Sequence, residues 1–185
     1  MNNICLKFPT MKEKEDWLNY VKETKEDNPA ATPGGFNDQT IYEEWLNKKI
    51  NEHNSIDLEP GRVPSSFYFL MDGNRILGST SIRHSIDSEM LRRFGGHIGY
   101  NIRPSERRKG YATKMLNLAL KKCEELGLED VMVTCKEENI GSAKTIENNC
   151  GILREVVFVP EENCNFKKYW INVKEALNKK DIKTH

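Results

Sequence analysis

Residues 95–112 read Gly-Gly-His-Ile-Gly-Tyr-Asn-Ile-Arg-Pro-Ser-Glu-Arg-Arg-Lys-Gly-Tyr-Ala. A glycine-interrupted strand ends at Pro104, a short turn carries Arg107, Arg108 and Lys109, and Gly110 opens a helix expected to run to about Leu126. Strand, cationic turn and helix N-terminus together suit a phosphorylated ligand. The first-turn N–H groups of a helix lack partners within it, and its dipole favours negative charge at that end. Gly110, with no Cβ, lets backbone approach a diphosphate closely. Arg103, Arg107, Arg108 and Lys109 face only Glu106 among charges nearby in sequence, so the local field is positive. Taken alone, such a turn reads equally well as a solvated surface.

The rest of the chain supplies the order of elements. Residues 3–8 alternate as a short strand closed by Pro9, and residues 11–25 form an amphipathic helix with Trp17, Leu18 and Val21 inward. The Pro- and Gly-rich segment 28–35 breaks that helix, and a second runs over 38–53 with Ile41, Trp45 or Leu46, and Ile50 on one face. After a turn-rich loop at 54–64, residues 67–71 and 75–86 pair as strands about the turn Asp72-Gly73-Asn74. Residues 87–94 are a polar connection into the glycine-rich strand.

Beyond Gly110, residues Ala112, Leu116, Ala119, Cys123 and Leu126 step by four and three, a core-facing helical stripe, and Gly127 stands where a C-terminal cap belongs. Residues 130–135 form a strand, making a parallel crossover unit with the one before. Asn139 caps a helix through Cys150 with Ile140, Ala143 and Ile146 inward. Strands follow at 152–159 and 166–173, and residues 174–185 read as a charged tail or frayed helix.

This order and one motif carry a resemblance. Arg107-x-x-Gly110-x-Ala112, after a strand and before an amphipathic helix, resembles the acetyl-coenzyme A signature Q/R-x-x-G-x-G/A of the GNAT superfamily of N-acetyltransferases. The Gly-His-Ile-Gly-Tyr…Arg-Pro-Ser-Glu-Arg-Arg stretch is similar to that of a bacterial-type subgroup known mainly as predicted acetyltransferases. The resemblance implies an α/β fold, a central mixed sheet with helices on both faces. Residues 1–173 would be one such domain, followed by the tail.

It further implies that the glycine-rich strand and the 130–135 strand splay apart around the pantetheine arm of acetyl-coenzyme A. Gly95, Gly96 and Gly99 suit that picture, since they permit a bulge or close backbone approach. By resemblance the backbone of Tyr100, Asn101, Ile102 and Arg103 contacts the arm. Arg107, Arg108, Lys109, Gly110, Tyr111, Ala112 and Thr113 hold the diphosphate, and Asn139 and Ser142 lie near the distal part of the cofactor. Asn139 is read equally well as a simple helix cap.

The chemistry sets its own requirements. An acceptor amine with a pKa of about 10.4 is a free nucleophile in about one molecule in a thousand at pH 7, a deficit of roughly 4–5 kcal/mol. A general base is therefore expected, with His97 the first candidate and His84, Asp87 and Glu89 behind it. The leaving thiol, with a pKa of about 8.5, asks less of an acid. Many GNAT enzymes place a tyrosine in the later helix for this; the matching position here is Ile146. Tyr169 is a candidate acid or substrate contact, with a core aromatic as its plainer reading. Segments 28–36, 54–64 and 87–94 are expected to recognise the acceptor, and they carry charges of both signs.

Composition narrows the rest. Lys+Arg and Asp+Glu are equal at 28 each, with no long block of one sign, which argues against nucleic-acid or membrane-surface partners. Five widely spaced cysteines without a Cys-x-x-Cys pair read as reduced thiols, with no metal site expected. No apolar leader or membrane-spanning stretch is seen, so a cytoplasmic location is expected. The expected partner is a small-molecule or peptide amine, and a homodimer is a possible assembly. The competing reading is a GNAT-fold module that binds acyl-coenzyme A without turning it over.

Overall fold

The computed structural model describes residues 4–181. Seven strands form one mixed sheet in the order β1-β2-β3-β4-β5-β7-β6. They are β1 (Ile4–Lys7), β2 (Ser65–Asp72), β3 (Arg75–Arg83), β4 (Ile98–Ile102), β5 (Asp130–Lys136), β6 (Ile152–Val159) and β7 (Cys164–Asn172). Only the central β4–β5 pair is parallel; the other neighbours are antiparallel. Helices α1 (Lys14–Asp27) and α2 (Tyr42–Asn54) cover one face. The other is covered by α3 (Tyr111–Glu125), α4 (Ile140–Glu147) and α5 (Val173–Asp181).

Strand alternation divides the core accordingly. Phe67, Phe69 and Met71 of β2 point towards Trp17, Tyr20, Tyr42 and Trp45, where Trp17 and Trp45 stack with centroids 5.0 Å apart. On the opposite face Ile98, Val131, Val133, Tyr169 and Ile171 meet Leu116, Ala119, Leu120 and Cys123 of α3. Ile102 joins Leu70, Leu77 and Met115 beside them.

Several expected details change. The first helix is preceded by a 3-10 turn at Met11–Glu13, closed by a capping box between Thr10 and Glu13. Its buried face is Trp17, Tyr20, Val21 and Thr24, while Leu18 is exposed. The second helix starts at Tyr42, not near 38, because the Asn37 side chain accepts from Gln39 N–H and holds a turn there. Ile41, Ile50 and Ile140, all expected to face inward, are exposed. Residues 174–181 are no tail: α5 lays Ala176 and Leu177 into the core beside α3. Asn3 of the expected first strand and residues 182–185 of the expected tail lie outside the described residues.

The feature that positions the site is the meeting of β4 and β5. Their ladder is a single pair, Ile98↔Val133, after which the strands part. Just before it Gly96 sits at φ 63°, and a Cβ there would meet the Met132 carbonyl at 2.7 Å. The chains approach too closely for any other residue. His97 then donates its backbone N–H to Met132 O at 2.7 Å and accepts Met132 N–H on Nδ1 at 2.9 Å.

Candidate functional site

One end of the β4–β5 gap leads to residues 107–113. Arg108 is left-handed at φ 63° and Gly110 at φ 80°, so two reversals turn the chain into α3. Among the described residues the N–H groups of 108–113 make no hydrogen bond; the first to make one is Lys114, bonded to Gly110 O at 3.2 Å. A run of free amides at a helix start suits an anion and forms a candidate cradle for one. A Cβ built on Gly110 would meet nothing within 4 Å, so the space before it is open.

The cations around this cradle are less free than their spacing suggested. Arg107 pairs with Asp27 at 2.8 Å and its Nε donates to Ile102 O at 3.3 Å. Lys109 pairs with Glu106 at 2.9 Å, and Glu106 also holds Arg75 at 2.8 Å. Arg108 has no ion pair among the described residues and is exposed.

Arg103 departs furthest from expectation. It is buried, with Nε on Glu23 at 2.6 Å and Nη1 on Asp16 at 2.9 Å. Burial opposes its charge, but those carboxylates hold its pKa above the ordinary value. Its side chain ties β4 to α1. The Ile102 side chain is core, leaving only backbone at that position.

Tyr100 turns the other way, across the gap to α4. Its hydroxyl lies 2.7 Å from Ser142 Oγ, and burial raises its pKa to about 12. Asn139 caps α4, accepting Ser142 N–H at 2.9 Å. Both polar side chains expected near the distal cofactor thus have partners inside the protein. Asn101 O accepts from the Tyr20 hydroxyl at 3.3 Å. Tyr111, Ala112 and Thr113 form the half-buried first turn of α3.

The two expected catalytic side chains need correction. His97 is buried and its Nδ1 lone pair is engaged by Met132 N–H, which places the proton on Nε2. Burial, with Arg83 nearby, lowers its pKa. It has no lone pair left to take a proton from an acceptor. Tyr169 is buried in the core, donates to Glu147 at 3.1 Å, and has its pKa raised to about 12 by burial and by that carboxylate. It is the core aromatic of the plainer reading. His84 bonds through Nε2 to Ser66 Oγ at 2.8 Å.

On the α1–α2 face, β3 and β4 floor a cavity of about 810 Å³. Its floor includes Ser79, Thr80, Ser81, Gly99, Tyr100 and Asn101. Its walls take residues from each of the three irregular segments: Pro33 and Gly34, Gly61 and Arg62, Met90 and Leu91. Arg83, at the end of β3, also lines it; no spacing or motif in the sequence marks that residue. No group of three His, Cys, Asp or Glu side chains among the described residues is placed to hold a metal.

A parallel strand pair that parts beside an amide cradle, with a separate cavity on the other face, defines a coenzyme A-dependent acetyltransferase. The model of the acetyltransferase (GNAT) domain matches residues 8–150, and the chain belongs to that family. No curated protein matches it by sequence.

Solved structures share the fold at low identity. Mycobacterium smegmatis RimJ with a coenzyme A disulfide aligns at TM-score 0.69 and 16% identity, over 92% of this chain and 82% of that one. The microcin C7 self-immunity acetyltransferase MccE, solved with acetyl-coenzyme A and AMP, aligns at 0.67 and 17%, over 91% and 92%. A Salmonella typhimurium acetyltransferase that modifies the N-terminal serine of ribosomal protein L7/L12 aligns at 0.66 and 15%, over 90% and 93%.

Proposed function

We propose that this protein transfers the acetyl group of acetyl-coenzyme A to a primary amine of a small molecule or peptide, by direct attack in a ternary complex in the cytoplasm. The observation that carries the proposal is the two-sided approach to β4. The amide cradle of 108–113 lies at one end of the β4–β5 gap, and the cavity meets the same strand at Gly99, Tyr100 and Asn101. Donor and acceptor would converge on the strand without crossing.

In this reading the free amides take the diphosphate and the parted edges of β4 and β5 take the pantetheine amides. A backbone N–H of β4 beside the thioester carbonyl stabilises the developing oxyanion. The catalytic share of the protein is then chiefly proximity and orientation. His97 has no free proton acceptor and His84 does not line the cavity, so the amine enters already neutral or loses its proton to water. The phenol of Tyr100, at about 12, is too weak an acid to protonate a thiolate of pKa about 8.5. Its role is at most a hydrogen bond.

The test combines coenzyme A titration calorimetry with thiol release over a panel of amines. Wild type should bind coenzyme A and acetylate some of the panel. Gly110→Asp, which adds a carboxylate where the diphosphate would sit, should lose coenzyme A binding while keeping its circular dichroism spectrum. Retained affinity in that variant would overturn the cradle assignment. Coenzyme A binding without transfer to any amine would favour the non-catalytic module.

A further inference from the structure

The cavity on the α1–α2 face holds an unbalanced charge. Arg83 is half-buried in its wall and uses one nitrogen, Nη1, for two bonds, to Gly95 O at 3.1 Å and Gly96 O at 3.0 Å. Those bonds hold the guanidinium in place, while Nε and Nη2 have no partner among the described residues. No carboxylate there forms an ion pair with it.

The other charges of the cavity account for one another. Lys49 pairs with Glu52 at 2.9 Å, and Glu59 holds Lys48 at 2.7 Å and Arg62 at 3.7 Å. Glu44 is exposed at the rim, and Asp87 is exposed in the loop beyond β3. Burial disfavours the Arg83 charge, and Arg62 adds repulsion. A guanidinium drawn partly out of water with no anion beside it is unfavourable in the free protein, and a bound anion relieves it.

Register places the Arg83 backbone close to the point where the cavity meets β4. Ser81 of β3 faces Gly99 of β4, where the cavity meets the β4–β5 gap, and Arg83 N–H bonds to His97 O. Two residues of strand, about 7 Å of backbone, separate Ser81 from Arg83, and the guanidinium stands at the far end of the Arg83 side chain. We propose that the acceptor is an amine carrying an acidic group, a carboxylate or phosphate, and that Arg83 binds this group and sets specificity. The inference rests on the acetyltransferase reading above and names its substrate class. The fixed plane of the guanidinium suits two parallel N–H···O bonds from its free donors.

The experiment uses four amines of one chain length: hexylamine, hexane-1,6-diamine, 6-aminohexanoate and 6-aminohexyl phosphate. Each is tested by thiol release with acetyl-coenzyme A, and by calorimetry in the presence of coenzyme A. The two acidic probes distinguish carboxylate from phosphate. Wild type should favour at least one of them over hexylamine by about tenfold or more in kcat/KM. Arg83→Gln should lose that preference with coenzyme A affinity unchanged, and Arg83→Lys should keep part of it. Equal use of acidic and acid-free amines, or a preference that survives Arg83→Gln, overturns the inference. If no amine is acetylated, calorimetry decides separately. Binding of an acidic probe to wild type but not to Arg83→Gln sustains the anion site while the transfer reading falls; no binding of either acidic probe overturns the site as well.

Discussion

At His97 a side chain takes over from the backbone. The β4–β5 ladder has one pair, and the ring supplies the next acceptor, so this histidine must stay neutral to hold Met132 N–H. Burial lowers its pKa, so protons bind more readily to the unfolded chain as the pH falls. The resulting stabilisation is complete above a pH of about 6.5 and is lost as pH falls below it towards the lower folded value. Urea midpoints measured at pH 7.5 and 5.5 should therefore separate more for wild type than for His97→Gln, whose amide does not titrate. Tyr100→Phe should reduce kcat by less than about tenfold, as expected of a hydrogen bond and not of proton transfer. Arg103→Met should leave Asp16 and Glu23 without their shared cation and cost roughly 2–4 kcal/mol by urea denaturation. The ion pairs of Arg103 and Arg107 are not legible in the sequence, for one reason. The carboxylates that claim Arg103 and Arg107 lie in α1, 80 or more positions away, and neighbouring residues in the chain say nothing of them.

Elements were easier to read, because their signals are local. Gly110, the stripe Leu116, Ala119, Cys123 and the β-branched strand after Gly127 need no distant partner to be recognised. The exact buried face did need one: Ile41, Ile50 and Ile140 have the right spacing, yet all three are exposed. At the C-terminus the helical reading of the two expected holds, and its packing is what the sequence hides. Its charges mask a short apolar edge, Val173, Ala176 and Leu177, that becomes core only because α3 lies beside it. Leu177→Ala should cost roughly 2–3 kcal/mol in a urea titration, against little for a solvated tail.

For the whole molecule, the sheet order leaves β1–β4 and β5–β7 as two subsheets joined at the centre by Ile98↔Val133 and the His97 bonds. A ligand that binds only the folded chain stabilises it by about 2.7 kcal/mol at a hundred times its Kd. For a chain of this size that is a rise in Tm of about 5–10 °C. Scanning calorimetry should show this with coenzyme A for wild type and no rise for Gly110→Asp. The narrow joint also gives the donor molecule a second office. Lying along the edges of β4 and β5, its amide-bearing arm would complete the sheet as an eighth member, so that the substrate of one turnover is also, while bound, a beam in the building that consumes it.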